Sequence, residues 1–438
     1  MLLFEFPDAT GDGNGNSAEV WRVDMYRVVG GKRLKGEVEI GCAKNAVLPI
    51  LAAALLTDSP VTLEDCPALL DVKNMLAILK TLGCEAGWRG KDICVNATGA
   101  NSYEMPEELS KSVRSSIFML GPLLGRFRKA KVTYPGGCEI GLRPIDLHLK
   151  GLRALGVSVR EAHGMIYCDG FKLHGGEVHL DFPSVGATEN VMMAAVLAKG
   201  RTTIHNAARE PEIRDLQDFI NAMGGRIRGG GTDTVVIEGV PALEGVQYRP
   251  MADRIVAGTL LTAVAATGGE ATLTNAPATD FGVVIDKLRR IGCEIDVEGN
   301  RVFIRAERPL KAVEISTQPY PGFPTDMQAQ FMALACVLNG TSVIVENVFE
   351  NRFAQASELR RMGADILINN RLAVVRGGRL TGARVQACDL RGGAALTIAA
   401  LAAEGVTTVE NVHLIDRGYE NLETMLAQLD ADVRRIKS

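Results

Sequence analysis

The sequence has few of the residues that build metal and disulfide sites. Among 438 residues only six are histidine, and the nine cysteines are scattered without a CxxC pair or a metal-ligand spacing. No HExxH motif is present either. We therefore expect no bound metal, no cofactor and no disulfide framework. Scattered thiols are typical of a reducing compartment, which predicts a cytoplasmic protein.

Long apolar runs and an excess of basic charge are also missing. The longest apolar stretch, AVLPILAAALL at 46–56, is too short to cross a bilayer. The N-terminal region lacks the layout of a signal peptide, and its Gly-, Asn- and Asp-rich centre predicts a disordered lead-in at 1–24. A net charge of −4 argues against a broad nucleic-acid-binding surface. We expect a protein that binds neither membranes nor nucleic acid.

A helical segment rich in alanine and other small residues occurs six times. The copies begin near residues 43, 112, 185, 253, 325 and 389, and in five of them a β-branched strand follows directly. A second helix then ends at a Leu-Gly type cap, where glycine accepts a positive φ. The caps recur about every 70 residues, at Gly83, Gly156, Gly224, Gly292 and Gly363, with Asp430 in the last copy.

Each copy therefore has the order helix, strand, helix, strand, strand. A chain of 438 residues is too long for one ordinary core, so we expect two lobes with three units each. The first helix of each unit is apolar on nearly all sides, which predicts that it lies buried inside its lobe. The fold class is α/β (α+β), and a cleft between two such lobes is a natural ligand site.

Charged and polar residues stand at the starts of these apolar helices. They are Lys44 and Asn45 in the first copy, Arg114 in the second, Arg254 in the fourth, Asp326 in the fifth and Arg391 in the sixth. If the helix starts converge, several cations surround a small, highly anionic ligand. The structural alternative for each residue is a helix cap or a solvated side chain.

The stretch YPGGCEIGLRPIDLH at 134–148 carries a cysteine on a glycine-rich turn. A thiol at Cys138, near the Arg143 guanidinium, is expected to be acidic and reactive. The alternative is a buried cysteine that only packs. Arg352 in NVFENRF and Arg417 in LIDRGYEN are further candidates, although single arginines are more often surface residues.

Taken together, these motifs resemble the enolpyruvyl transferase family. The likeness runs from about residue 26 to 436 and rests on GEVEIGCAKNAVLPILAAALL, PGGCEIGLRPIDLHLKGL, FPSVGATENVMMAA, NAAREPEI, FPTDMQAQF, VFENRF and HLIDRGYE. The chain is similar to the members that act on UDP-N-acetylglucosamine. The SKS-containing first motif of the shikimate-specific members is absent, and those members have no loop cysteine.

The resemblance implies a two-lobed inside-out α/β barrel with six helix-strand repeats, three per lobe. One lobe spans 45–251 and carries the catalytic loop, and the other combines 25–44 with 252–438. The implied reaction transfers the enolpyruvyl group of phosphoenolpyruvate to the 3′-hydroxyl of UDP-N-acetylglucosamine in peptidoglycan synthesis. These two compounds are the expected partners, and we expect a monomer that is inhibited by the thiol-alkylating compound fosfomycin.

The resemblance also assigns roles to individual residues. Cys138 matches the general acid, and Asp326 matches the residue facing the 3′-hydroxyl, as base or orienting group. Lys44, Arg143 and Arg417 match phosphoenolpyruvate contacts, with Arg391 and Arg254 near them. The expected nucleotide-sugar contacts are Asn45, Arg114, Pro144, Ile145, Asp146, Leu147, Phe182, Pro183, Ser184, Val185 and Val348. Phe182 departs from a lysine of some relatives, so its contact would be through backbone or stacking.

Two other functions stay open at this point. A sister enzyme would use another acceptor, such as shikimate 3-phosphate. An inactive paralogue would keep the fold and serve as a regulatory binding protein. The intact set Lys44, Cys138, Asp326, Arg391 and Arg417 argues against the second alternative.

Overall fold

The computed structural model describes residues 24–105, 114–134 and 145–437. Helices and strands alternate along these ranges, which confirms the mixed α/β class. The predicted lead-in at 1–23 and the turn that carries Cys138 lie outside the described residues. Asp24, which was also assigned to the lead-in, accepts a hydrogen bond from Arg435 Nε at 2.8 Å. That residue is therefore part of the folded protein.

Six helices are almost completely buried, and they correspond to the small-residue segments of the sequence. They are Lys44–Ala53, Leu120–Phe127, Val185–Ala195, Arg254–Thr267, Gln328–Ala335 and Leu390–Ala402. The last three contact one another, and the second contacts the third. The first helix contacts 3-10 turns at Ala54–Leu56 and Arg114–Met119, and other such turns lie at Ala278–Asp280 and Thr325–Met327.

A second set of helices is amphipathic and buries one face only. These helices are Leu70–Thr81, Asp146–Ala154, Pro211–Ala222, Gly282–Ile291, Gln355–Arg361 and Leu422–Gln428, and a short helix lies at Val412–Ile415. Each of the six predicted caps has a positive φ, from 66° at Asp430 to 114° at Gly292. The cap prediction is confirmed. Within the described ranges no helix has the length and hydrophobicity to span a membrane.

The described strands form six sheets, three of them built from residues between 61 and 248. The first has the order Gln247–Tyr248, Val61–Leu63, Asp92–Asn96, Glu85–Arg89. The second has the order Lys129–Thr133, Met165–Asp169, Ser158–Ala162. The third has the order Ile227–Arg228, Thr234–Glu238, Arg201–His205, Glu177–His179.

The other three sheets combine two strands between residues 25 and 39 with strands between residues 270 and 436. Their orders are Glu294–Glu298, Arg301–Arg305, Glu270–Thr274, Lys35–Glu39; then Glu314–Ser316, Thr341–Val345, Leu372–Arg376, Asp365–Asn369; and Arg384–Gln386, Val406–Glu410, Met25–Val29, Asp432–Ile436. In each four-stranded sheet one pair is parallel and the rest are antiparallel. The strand Met25–Val29 pairs with both Val406–Glu410 and Asp432–Ile436, so the beginning of the described chain completes a sheet made by its end.

Buried apolar residues form two separate cores. The first core contains residues within 42–243, and the second core contains residues within 26–40 and 255–433. The chain passes between the two cores at 41–43 and again at 251–253, and these two segments hydrogen-bond to each other. Ala43 N–H donates to the Met251 carbonyl at 2.7 Å, and Asp253 N–H donates to the Gly41 carbonyl at 2.9 Å. This pairing sets the starts of the Lys44 and Arg254 helices side by side.

Candidate active site

The junction of the two cores carries a buried lysine. Lys44 is the first residue of its helix, is 8% exposed, and donates its backbone N–H to Asp253 Oδ2 at 3.4 Å. Asp253 in turn caps the Arg254–Thr267 helix by accepting from the N–H groups of Ile255 and Val256. Asn45 is exposed although the rest of the Lys44–Ala53 helix is buried. The start of this helix is therefore the part that opens to solvent at the junction.

A single carboxylate joins Lys44 to an arginine of the other core. Asp71, in the first turn of the Leu70–Thr81 helix, lies 2.7 Å from Lys44 Nζ through Oδ2. Arg417 donates to the same carboxylate from Nε at 3.0 Å and from Nη2 at 3.4 Å. Burial lowers the pKa of the Lys44 ammonium, Asp71 opposes that shift, and the nearby charges of Arg391 and Arg417 add to it.

A second carboxylate is held between two buried arginines. Asp326 Oδ1 lies 2.7 Å from Arg352 Nη2, and Oδ2 lies 2.9 Å from Arg391 Nη2. The arginine side chains are 5% and 4% exposed, whereas the Asp326 side chain is 27% exposed. Burial would raise the pKa of Asp326, but Arg391 and Arg352 outweigh it and hold that pKa well below its usual range. The result is an ionised, fixed carboxylate with an accessible edge.

Glu346 fixes the segments on either side of this carboxylate. Its Oε2 accepts from the Thr325 hydroxyl at 2.9 Å, and Thr325 Oγ1 also accepts from Arg352 Nη1 at 3.0 Å. Its Oε1 accepts from Val348 N–H at 2.9 Å and Phe349 N–H at 3.1 Å. Val348 is thereby held near Asp326, because both segments hydrogen-bond to one buried glutamate.

Arg254, which is predicted as a cation near the phosphoenolpyruvate site, is buried and forms an ion pair with Glu212. Its Nε and Nη2 donate to the two oxygens of Glu212 at 3.0 and 3.2 Å, so this edge of the guanidinium is already paired. Its guanidinium also lies 5.8 Å from the Tyr320 ring centroid. Next to it is a cavity of about 200 Å³ whose lining includes Phe281 and Gly282.

Two predicted nucleotide-sugar segments of the first core lie close together. Asp146 begins one helix, and the Ser184 hydroxyl accepts from Ala187 N–H at 3.3 Å to cap another. Asn190 connects them, donating to His148 Nδ1 at 3.0 Å and to the Gly186 carbonyl at 3.1 Å. Ile145 is buried, Leu147 is half-buried, and Phe182, which precedes half-buried Pro183 and Val185, is exposed.

The structure brings together Lys44, Asp326, Arg391 and Arg417 from four distant parts of the sequence, since Lys44 lies within electrostatic reach of both Arg391 and Arg417. Cys138, Arg143 and Pro144 lie outside the described residues, as does the side chain of Arg114.

Sequence reasoning did not select Asp71 and Glu212. Both are charged residues on the buried face of an amphipathic helix, Asp71 beside Val72 and Met75 and Glu212 beside Ile213. A charge at an apolar position of the helical period was the available signal. Arg352 had been considered only as one of two isolated arginines.

Buried cations and a fixed carboxylate at the junction of two α/β cores are the arrangement expected of a site for a small, multiply charged anion. Residues 28–426 match the family described as EPSP synthase (3-phosphoshikimate 1-carboxyvinyltransferase). The chain therefore belongs to this family of enolpyruvyl transferases, as its motifs predicted.

Relatives with curated names support the same assignment over nearly the whole chain. A UDP-N-acetylglucosamine 1-carboxyvinyltransferase 2 of Caldanaerobacter subterraneus is 51% identical over 413 residues, which cover 94% of this chain and 99% of that protein. A UDP-N-acetylglucosamine 1-carboxyvinyltransferase of Myxococcus xanthus is 50% identical over 420 residues, covering 95% and 100% of the two chains.

Solved structures share the architecture. The enolpyruvyl transferase NikO from Streptomyces tendae superposes with a TM-score of 0.86 at 25% identity and covers 95% of this chain and 100% of that chain. An EPSP synthase from Acinetobacter baumannii gives a TM-score of 0.71 at 17% identity, with coverage of 95% and 100%. The second likeness concerns the fold alone.

Proposed function

We propose that this chain transfers the enolpyruvyl group of phosphoenolpyruvate to the 3′-hydroxyl of UDP-N-acetylglucosamine and releases phosphate. This is the first committed step of peptidoglycan synthesis. The proposal rests on proteins that are named for that activity and that share 50% or 51% sequence identity with this chain over nearly its full length. The geometry at the junction of the two cores supports it.

The donor of this reaction requires several cations. Phosphoenolpyruvate carries a phosphate and a carboxylate, and Lys44, Arg391 and Arg417 offer ammonium and guanidinium donors from both cores. Addition joins the sugar oxygen to C2 of the donor while a proton is added to C3 and the hydroxyl proton is lost. Elimination then breaks the bond from C2 to the phosphate oxygen and removes a proton from C3, which restores the double bond.

Asp326 is suited to orient the acceptor hydroxyl. Its two oxygens are held by Arg352 and Arg391, and its pKa lies well below the usual range. A carboxylate with so low a pKa is a weak base, but it stays ionised and fixed in place, so it can accept a hydrogen bond from the hydroxyl. Of the two roles that the sequence left open, this arrangement favours orientation over proton removal.

The remaining assignments stay predictions from the resemblance. Cys138 would supply the proton to C3 from a loop that closes over the substrates, with Arg143 on the same loop. The nucleotide sugar would lie along Asn45, Arg114, the segments 144–147 and 182–185, and Val348. The exposed ring of Phe182 is compatible with stacking.

The same proposal includes the domain organisation. One domain would span 45–251 and the other 25–44 with 252–438, each an inside-out barrel of three units with its helices inside its sheets. The two separate cores, the six sheets of the described residues and the buried helices support this division. We further propose that the enzyme acts in the cytoplasm as a monomer, without a membrane or nucleic acid partner.

The experiment is phosphate release from phosphoenolpyruvate with UDP-N-acetylglucosamine as acceptor. We expect release with the wild-type chain, and loss of release both in Cys138→Ala and after thiol alkylation of the wild type. Cys94→Ala, at a half-buried cysteine outside the proposed site, is the matched control and should keep its activity. Release only with shikimate 3-phosphate would assign the chain to the sister activity, and no release with either acceptor would favour the inactive paralogue.

A further inference from the structure

One contact between the cores places a carboxylate where an anionic ligand is expected. The segment 68–71 of the first core lies against 416–420 of the second. Ala68 N–H donates to Glu420 Oε1 at 3.1 Å, and Leu70 N–H donates to the Asp416 carbonyl at 3.4 Å. Directly beside these contacts, Asp71 binds Lys44 and Arg417.

The Asp71 carboxylate resembles a bound oxyanion in charge and geometry. Its side chain is 5% exposed, and its oxygens lie 2.7 Å from Lys44 Nζ and 3.0 Å from Arg417 Nε. These distances are those of charge-assisted hydrogen bonds. The Nε–Nη2 edge of Arg417 is one that a phosphate or carboxylate takes in bidentate binding, and here Asp71 already holds it.

The carboxylate also controls repulsion within the site. Lys44 and Arg417 both pair with Asp71, whereas Arg391 pairs with Asp326, so without Asp71 the charges of Lys44 and Arg417 would face each other unpaired. Asp71 supplies their counter-charge when no ligand is bound. It also ties the Lys44 side of the junction to the Arg417 side, because the two cations belong to different cores.

We propose that Asp71 is a positioning residue that occupies the anion site of Lys44 and Arg417, and that the phosphate-bearing substrate must displace it. This inference rests on the proposed function for the identity of that substrate. An anion can bind only to molecules in which Asp71 has left Lys44 and Arg417. The measured affinity for the anion is therefore lower than its affinity for the free site, by the fraction of molecules whose site is free. Substrate binding would then be linked to release of one contact between the cores.

The first test compares inorganic phosphate binding to the wild-type chain and to Asp71→Asn by isothermal titration calorimetry. The amide keeps the size of the side chain but removes the competing charge, so we expect phosphate to bind about tenfold more tightly or better. With phosphoenolpyruvate, KM should fall while kcat does not rise, because the gain lies in the ground state. Circular dichroism confirms that the variant is folded.

Glu420→Gln is the matched control. It removes one carboxylate from the same contact between the cores but keeps an oxygen that can accept from Ala68 N–H. We expect its phosphate affinity to stay within about twofold of the wild type, because the Asp71 hydrogen bonds are unchanged. Equal tightening in both variants would show that only net charge matters, and unchanged or weaker phosphate binding in Asp71→Asn would overturn the proposal.

A second measurement uses the wild-type chain and does not depend on how the variant folds. Burial raises the pKa of Asp71, but Lys44 and Arg417 outweigh that effect and hold the pKa below its usual value. Sulfate does not titrate in this range, and its binding should free Asp71 from both cations and raise the pKa of that carboxyl toward its usual value. Proton uptake on sulfate binding at about pH 4, close to the usual pKa of an aspartate, is therefore expected and is measured by calorimetry in buffers of different ionisation enthalpy. Binding of sulfate without proton uptake would overturn the proposal, whatever reaction the enzyme catalyses.

Discussion

Arg254 of the second core and Glu212 of the first core form a buried ion pair with two parallel hydrogen bonds, at 3.0 and 3.2 Å. Both side chains are less than a tenth exposed. A buried pair adds little net stability when intact, because its attraction offsets the cost of desolvation. Loss of one partner is costly because it leaves an unpaired charge in the interior.

We expect Glu212→Gln to lower the free energy of unfolding by about 3 kcal/mol. The double variant Arg254→Met with Glu212→Leu should recover most of that loss, since no charge remains buried. Urea unfolding of the wild type, of the single variants Arg254→Met and Glu212→Leu, and of the double variant gives the coupling energy. Additive losses in the double variant would mean that the pair contributes no coupling between the cores.

Asp326→Asn tests the fixed carboxylate. The change removes the counter-charge of Arg352 and Arg391 and loosens the group proposed to orient the acceptor, so activity should fall by about 100-fold or more. Asp365→Asn, at an exposed carboxylate paired with Arg376, is the matched control and should leave phosphate release unchanged. Retention of more than half the activity by Asp326→Asn would rule out the orienting role.

The contribution of the Asp326 carboxylate to the stability of the protein should decrease in acid. Because the pKa of Asp326 is lower in the folded protein than in the unfolded chain, its stabilising effect is present above about pH 4 and declines as the pH falls further. Wild type and Asp326→Asn should therefore differ most in urea midpoint at neutral pH and converge toward pH 3. A difference that grows as the pH falls would contradict this assignment.

His148 is expected to destabilise the protein in mild acid. Asn190 donates to its Nδ1, so the ring is neutral, and burial lowers the pKa of His148 to about 4. The unfolded chain binds the proton nearer pH 6.5, so stability should fall by about 3 kcal/mol between pH 6.5 and pH 4. His148→Gln should flatten this part of the profile, and a parallel profile in wild type and variant would exclude the effect.

Glu189 has the opposite pH dependence. It is fully buried, neither of its oxygens has a hydrogen-bond partner among the described residues, and burial together with Glu212 and Glu210 raises its pKa well above the usual range. Folding therefore favours the protonated acid, and its contribution weakens as the pH rises above about 4.3. We expect Glu189→Gln to stabilise the protein at pH 8 and to have little effect at pH 4.5, measured as thermal midpoints. A loss of stability at pH 8 would show that the charged form is needed.

Gly121 tests the close packing of the buried helices, and Gly282, at the start of an amphipathic helix, is its control. A Cβ at Gly121 would lie 2.5 Å from the backbone oxygen of Asn190, whereas a Cβ at Gly282 meets no atom within 4 Å. Gly121→Ala should cost about 2 kcal/mol or more, because backbone cannot move aside easily. Gly282→Ala should be neutral or stabilising by up to about 1 kcal/mol. Equal thermal midpoints would mean that the helix pair can separate at no cost.

Sequence alone determined the features that depend on local chemistry. The caps from Gly83 to Asp430 were predictable because a positive φ favours glycine at a helix end, and their spacing indicated a unit of about 70 residues. Apolar helices rich in small residues predicted buried helices, and the family resemblance together with the charged helix starts predicted Lys44, Asp326, Arg391 and Arg417 as one set.

Only the tertiary structure decided which charges meet. Asp71 reaches Arg417 across 346 positions of sequence, and Glu212 of the first core pairs with Arg254 of the second. Ion pairing depends on distances of a few ångströms and on burial, and the crossing of the chain between the two cores sets both. Helix periodicity can place a carboxylate on a buried face, but it cannot name the cation that the folded chain brings to it.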